Sequence, residues 1–281
     1  MEQALLIVWR ESVEALLVIG ILYAWLRRQP AKKRALIHLW AGVGFGLLLA
    51  GLLATLMAVA GNWMSGPGGE WFQAALSLLA CGLILQMVHW MARNSGQLRQ
   101  QLEHQANIAL LKGRLNSLTL LAALAVAREG SETVIFLYGV STSVNSTGLA
   151  LGAGLGLLLG LLCFGLLQAG SRFIAWRQFF LVSEVLLLLL GSALLMSTLD
   201  RASSQWMAMD LPEMIYSVLS NAMWDTSALL DDGSKIGTLV SSLSGYRARP
   251  SALHVVGLGY YWLLAWSLLR PPRRALTGKI A

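Results

Sequence analysis

Seven stretches of this chain, at about residues 3–26, 36–60, 71–92, 116–140, 147–170, 178–199 and 252–270, are mainly apolar over the length needed to cross a bilayer. A helix rising 1.5 Å per residue needs about 20 residues to span roughly 30 Å of hydrocarbon. No water is available there to bond free peptide groups, so each stretch must satisfy its own backbone as a helix. The expected fold is therefore an all-α integral membrane protein of about seven transmembrane helices. Charged residues make up only 12% of the chain, about half the share of a soluble domain.

Charge in the connecting segments sets the expected orientation. The 27–34 loop holds Arg27, Arg28, Lys32, Lys33 and Arg34, and the 93–115 loop holds Arg93, Arg99, Lys112 and Arg114. Arg172 and Arg177 follow the fifth stretch, and Arg270, Arg273, Arg274 and Lys279 follow the last. The 61–70 and 141–146 segments hold no Lys or Arg, and the long 200–250 segment holds only Arg201, Lys235, Arg247 and Arg249. Basic loops stay in the cytoplasm, which puts the N-terminus outside and the C-terminus inside. The formal net charge of +7 thus reads as topology rather than as a nucleic-acid footprint. The first residues carry Glu2 and no basic run, so 3–26 is read as a span rather than a removable leader. Cys81 and Cys163 both lie in apolar stretches and read as small packing residues, with no disulfide framework or thiolate site.

Glycines mark helix packing. Gly148, Gly152, Gly156 and Gly160 recur every four residues in the fifth stretch, with Gly154 between them, and Gly42 and Gly46 do the same in the second. Small residues at this spacing let helices approach closely. The 200–250 segment is too long for a plain connector. Its Leu211–Leu230 stretch has an amphipathic pattern, from which one or two short helices at the outer surface, dipping toward the mouth, are expected.

The chemistry lies in a repeated pattern. Arg10-Glu11-Ser12-Val13-Glu14 sits inside the first stretch and Arg128-Glu129-Gly130-Ser131-Glu132 inside the fourth. Each charge at the centre of a span costs about 2.5–3.5 kcal/mol, so six would oppose insertion by roughly 15–20 kcal/mol unless they face inward and meet partners. On a helix, residues three and four apart share a face. Glu11 and Glu14 therefore face one way, as do Glu129 and Glu132, and each arginine reaches the second glutamate of its own copy. Four carboxylates against two guanidiniums leave a net −2 when all are ionised, a deficit that a cation would fill. Carboxylate oxygens suit hard cations better than Cu(I) or Zn²⁺. His38, His89, His104 and His254 are scattered and read as polar interfacial residues. Glu184, in the sixth span, is an exit-side relay or a snorkelling side chain.

The two copies also predict architecture. Three spans per unit would run the copies in opposite directions, giving a 3+3 inverted repeat plus a seventh helix, with the site at the midplane where the repeats meet. The whole chain, 1–281, then reads as one transmembrane permease domain. Residues 1–92 form the first repeat and 116–199 the second, with an extracytoplasmic loop at 200–250 and the seventh helix at 252–270. Three other readings use the same residues: a divalent-metal or proton-coupled cation carrier, an intramembrane enzyme with paired glutamates as acid and base, and buried Arg–Glu bridges that only lock two helices together. The last leaves Glu11 and Glu129 unpaired, which is costly. Against the enzyme stands the symmetry of the copies, since an acid and a base need unlike environments. No G-x-x-x-x-G-K-[ST] loop is present, which excludes an ATPase of that type.

The doubled Arg-Glu-x-x-Glu resembles the hallmark of the oxidase-dependent high-affinity iron permeases of the Ftr/EfeU type, whose copies usually read Arg-Glu-Gly-x-Glu. The second copy matches and the first carries Ser12 in place of glycine. The outer loop is similar too, in Trp224-Asp225-Thr226-Ser227 and in Gly245-Tyr246-Arg247-Ala248-Arg249-Pro250-Ser251. The resemblance covers essentially the whole chain. It implies import of iron as substrate, with no tightly bound cofactor, across a bacterial inner membrane. It also implies an extracytoplasmic iron oxidase and an iron-binding protein as partners. On that resemblance Glu11, Glu14, Glu129 and Glu132 bind the ion, Arg10 and Arg128 orient and balance them, and Asp225, Asp231 and Asp232 are candidates for capture at the mouth.

Overall fold

A computed structural model of the protein describes residues 1–29, 32–63, 66–94, 98–111, 115–141, 146–169, 176–209, 212 and 221–269. These residues form helices α1 (Glu2–Leu26), α2 (Lys32–Trp63), α3 (Pro67–Asn94), α4 (Leu98–Leu111), α5 (Leu115–Ser141), α6 (Ser146–Ala169), α7 (Trp176–Met207), α8 (Lys235–Ser244) and α9 (Ala252–Leu269). One isolated bridge, between Ala222 and Ser251, is the sole β pairing among them.

All seven apolar stretches fold as helices, six of them within a few residues of their expected limits. Five of them, α2, α3, α6, α7 and α9, are long and apolar enough to cross a membrane on composition alone. The other two stretches are α1 and α5, at 25 and 27 residues just as long, but each has one Arg and two Glu near its middle. They are set apart by the charges of the repeated pattern, whose glutamates and Arg10 they turn inward. Arg10 and Glu11 are only 1% and 2% exposed. The outward faces of α2 and α6, by contrast, are lined with exposed Leu48, Leu52, Leu56, Leu151, Leu158 and Leu162, as lipid-facing helices should be.

Helix pairing is reciprocal between the two halves. Helix α1 packs along α6, α5 packs along α2, and α3 packs on α7. Glycines make the first two contacts close. A Cβ at Gly156 would lie 2.6 Å from the Leu5 carbonyl oxygen and 2.9 Å from the Trp9 nitrogen, and one at Gly46 would lie 2.8 Å from the Ala123 oxygen. Gly152 and Gly160 meet α1 in the same way, and Gly42 meets α5. Gly154 faces open space, so it is not part of that seam.

Three expectations need correction. Helix α4 occupies much of the 93–115 segment, expected as a loop; its Leu102 and Ala106 are buried beside Leu22, Leu26 and Leu118, and that apolar side makes it a helix. Helix α7 runs to Met207, past the expected end at 199. Asp200 and Arg201 therefore lie on the helix, held by ion pairs of Arg247 Nη2 with Asp200 at 2.6 Å and Arg201 with Glu70 at 2.5 Å. Residues 211 and 213–220 of Leu211–Leu230 lie outside the described residues, and its described part, 212 and 221–230, is turn and extended chain. The helix of the 200–250 segment is instead α8. The Ser234 hydroxyl caps it by accepting from the Gly237 N–H, and Gly245 ends it at φ 72°, a left-handed conformation that favours glycine. The Ser192 hydroxyl donates to the Ser244 carbonyl at 2.7 Å, and the Gln3 amide donates to the Ser242 carbonyl. Because Ser192 sits mid-way along α7, α8 dips among the helices. Of the residues named for topology, Lys112, Arg114, Arg172 and the tail from Arg270 lie outside the described residues.

Candidate metal site

The carboxylates converge where α1 and α5 face each other. One oxygen from each of Glu11, Glu14 and Glu129 lies within 4.8 Å of the other two. Three points no farther apart than this fit within about 2.8 Å of a common centre, against about 2.0–2.6 Å for oxygen on hard cations. Small side-chain adjustments would close the difference. It is the only group of three or more potential ligands that the described residues bring together. Glu132 stands beside the trio, with one oxygen on Arg128.

The arginines are arranged much as their spacing predicts. Arg10 Nη2 pairs with Glu14 Oε1 at 2.6 Å, and Arg128 Nε pairs with Glu132 Oε1 at 3.0 Å. Glu11 was expected to be unpaired, yet Arg10 Nη1 also bonds its Oε1 at 2.9 Å. Adjacent residues on a helix point apart, but the arginine stem is long enough to turn back. Glu129 is looser, 4.0 Å from Arg128. Each first glutamate keeps its other oxygen uncommitted: Glu11 Oε2 and Glu129 Oε2 are buried and meet no hydrogen-bond donor, and the same holds for Glu132 Oε2. Buried polar oxygens are almost always bonded. Uncommitted oxygens on Glu11 and Glu129, both members of the trio, suit a positive ligand.

The copies differ in exposure. The Arg10 side chain is 1% exposed, whereas that of Arg128 is 46% exposed. Both rest on α3, a feature that the sequence did not single out. Arg10 Nη1 lies 2.8 Å from Met87 Sδ and Nη2 lies 3.3 Å from Met91 Sδ. The Arg128 guanidinium sits 5.0 Å from the ring centre of Trp90. Their positions, i, i+3 and i+4, mark one helix face, but in an apolar span that pattern looks like ordinary core.

The remaining candidates lie apart from the trio. Glu184 is half-buried on α7, within electrostatic reach of Arg10 and Glu14. Asp225, Asp231 and Asp232 lie in the loop before α8 and hold it together. Asp225 accepts from the Ser227 N–H and hydroxyl and pairs with Arg249 at 3.0 Å, which holds its carboxyl at about 2. Asp231 accepts from the Gly233 N–H and Asp232 from the Ala248 N–H. Together with Ser227, Ala228, Ala248 and Arg249, Asp231 and Asp232 line an open cavity of about 410 Å³. His254 links Asp200 at 2.8 Å to Ser251 at 2.7 Å, and His89 bonds the Leu268 carbonyl; both are structural in this fold.

The chain is similar to known proteins over nearly its full length. The ferrous iron permease EfeU of Escherichia coli O6:K15:H31 (strain 536 / UPEC) is 28% identical over 280 residues, covering 97% of this chain and 96% of that protein. EfeU of Shigella sonnei (strain Ss046) is 28% identical over 282 residues, with 97% and 96% covered. EfeU of Yersinia pestis is 26% identical over 280 residues, with 97% and 94% covered. No solved structure gives a significant match. The model of the iron permease FTR1 family matches residues 1–271, and the chain, a multi-pass membrane protein, belongs to that family.

Proposed function

We propose that this protein imports iron across a bacterial cytoplasmic membrane, passing the ion between the glutamates of its two Arg-Glu-x-x-Glu helices. The convergence of Glu11, Glu14 and Glu129 oxygens within 4.8 Å carries the reading. Two helices far apart in sequence supply the trio, and the charge balance of the two motifs is net −2. Family membership and the names of the relatives make iron the cargo. Glu132 completes the ligand set as the ion moves, Arg10 and Arg128 limit the charge, and Glu184 is the next carboxylate on the way inward.

Seven spans, N-terminus outside and C-terminus inside, form two inverted units with α9 added. The reciprocal pairing of α1 with α6 and of α5 with α2 supports this, because it is the pattern a two-fold exchange of the halves requires. Iron reaches the outer mouth either as Fe²⁺ or as Fe³⁺ made by an extracytoplasmic oxidase, with an iron-binding protein as a further partner. Asp225, Asp231 and Asp232 would meet it there. Transport rather than catalysis is the activity of this chain.

The test is radioactive iron uptake in an iron-starved, transporter-deficient bacterial strain, comparing wild type with Glu14→Ala and Glu129→Ala at matched membrane abundance. Uptake by wild type and its loss in both variants is the expected result. Full uptake in both variants would remove these carboxylates from the pathway. Dependence on an added oxidase would identify Fe³⁺ as the delivered ion, and uptake of Fe²⁺ under reductant without an oxidase would identify Fe²⁺. Equal competition by Mn²⁺ would favour the general divalent-cation carrier.

A further inference from the structure

Both motif arginines lean on one uncharged face of α3. Arg10 is wholly enclosed; its two terminal nitrogens are divided between carboxylates and sulfurs, while Nε is buried without a hydrogen-bond partner. Nη1 is shared by Glu11 Oε1 at 2.9 Å and Met87 Sδ at 2.8 Å, and Nη2 by Glu14 Oε1 at 2.6 Å and Met91 Sδ at 3.3 Å. Met87 and Met91 are each 3% exposed, so water does not replace them. Between them on the same face, Trp90 presents its ring to Arg128 at 5.0 Å. Thioether sulfur is a weak hydrogen-bond acceptor, and an indole face attracts a guanidinium through its quadrupole. Neither adds charge.

This choice of partners matters for a site that must take a cation and release it. An arginine free to turn fully onto its glutamates would occupy the oxygens meant for the ion, since a guanidinium binds carboxylate with two parallel bonds. A carboxylate or amide oxygen on α3 would anchor the arginine firmly, and a carboxylate would also deepen the negative well. Two sulfurs and a ring hold the arginines back without doing either. Because the three residues share a rigid helix, they also fix the two motifs relative to one another.

We infer that Met87, Trp90 and Met91 are positioning residues that restrain Arg10 and Arg128 from behind and so set how tightly the glutamates hold a cation. The inference rests on the transport reading for its consequence, but not for the restraint itself.

The experiment compares Met87→Leu/Met91→Leu with Met87→Gln/Met91→Gln, and Trp90→Leu with Trp90→Phe, in the full chain. Leucine matches methionine in volume but accepts no hydrogen bond, whereas glutamine keeps an acceptor. If these residues only fill the core, leucine is the milder change. If they hold Arg10, glutamine is. The expected result is a lower melting temperature in detergent for the leucine pair than for the glutamine pair. For iron uptake, the leucine pair should raise KM about fivefold with Vmax changed less than twofold. Phe at 90, which keeps a ring face, should restore the KM that Leu raises. Melting in the opposite order overturns the restraint, and a wild-type KM in both leucine variants overturns its role in tuning the site. A wild-type protein that takes up no iron would instead bring down the transport reading, and the melting order would still decide on the restraint.

Discussion

Gly130 of α5 faces Ala50 of α2 so closely that a Cβ at position 130 would lie 2.6 Å from the Ala50 Cβ. The related position in the first copy is Ser12, and it is Gly160 of α6 that gives way there: a Cβ at 160 would lie 2.8 Å from the Ser12 Cβ. Each crossing thus pairs one glycine with one side chain, but the glycine has changed helices. This explains why the first copy carries serine where glycine is usual. Gly130→Ser should be overpacked by about 1–3 kcal/mol, lowering the melting temperature and membrane abundance. Ala50→Gly in the same chain should recover most of that loss, which a double-mutant cycle on thermal unfolding in detergent would measure.

The position of each glutamate predicts a graded series. Glu129 belongs to the close trio and Glu132 stands outside it. Glu129→Gln should lower iron uptake by about tenfold or more, an amount equal to at least about 1.4 kcal/mol of lost stabilisation. Glu132→Gln should lower it by only about threefold. Abundance should change by less than twofold in both, as checked by quantitative blotting of membranes. A fall in abundance that accounts for the lost uptake would return these residues to a structural role.

Arg128 is half exposed near the middle of α5, which crosses lipid in the seven-span reading, and Arg10 is enclosed. A charge in that position faces water rather than acyl chains. Arg128→Cys should therefore react with a water-soluble, charged thiol reagent in native membranes, at a rate about tenfold or more above Arg10→Cys. The reaction is followed by mass spectrometry in a background lacking Cys81 and Cys163. Equal rates would remove the aqueous route to the second motif.

The outer loop should resist acid. Asp225 is held at about 2 by its bonds from Ser227 and by Arg249 beside it. A carboxylate lowered from its ordinary value near 3.9 stabilises the loop fully above that value, and the contribution fades as pH falls through about 2. Rate-corrected hydrogen exchange at Met223 and Thr226, whose N–H groups bond Pro250 and Ala248, should be unchanged between pH 7 and pH 5. Asp225→Ala should speed it at both values. Asp225→Asn should do so less, because the amide oxygen still accepts from Ser227.

The sequence displayed what depends on local spacing. Apolar length was sufficient for the seven helices, and the i, i+4 rule was sufficient for Arg10 with Glu14 and Arg128 with Glu132. What it hid depends on tertiary contact. Helix α4 is too polar overall to stand out, and only its seat against Leu22, Leu26 and Leu118 makes sense of it. Helix α8 lacks a long periodic pattern and owes its place to Ser192 and Gln3. The use of Met87 and Met91 as acceptors was invisible because methionine in a span is indistinguishable from packing until a guanidinium is seen beside it.

The pairing of α1 with α6 and of α5 with α2 places a constraint on biogenesis. In the seven-span reading, Arg10, Glu11 and Glu14 enter the bilayer long before their counterparts exist, since the second copy follows 118 residues later. At about 5–20 residues per second, the ribosome takes roughly 6–24 s to make up that gap. During this wait the first helix depends on its own internal ion pairs, and on whatever the insertion machinery offers, to stay in lipid. On this reading Arg10, four residues before Glu14, shields the first helix at birth as well as balancing the finished site.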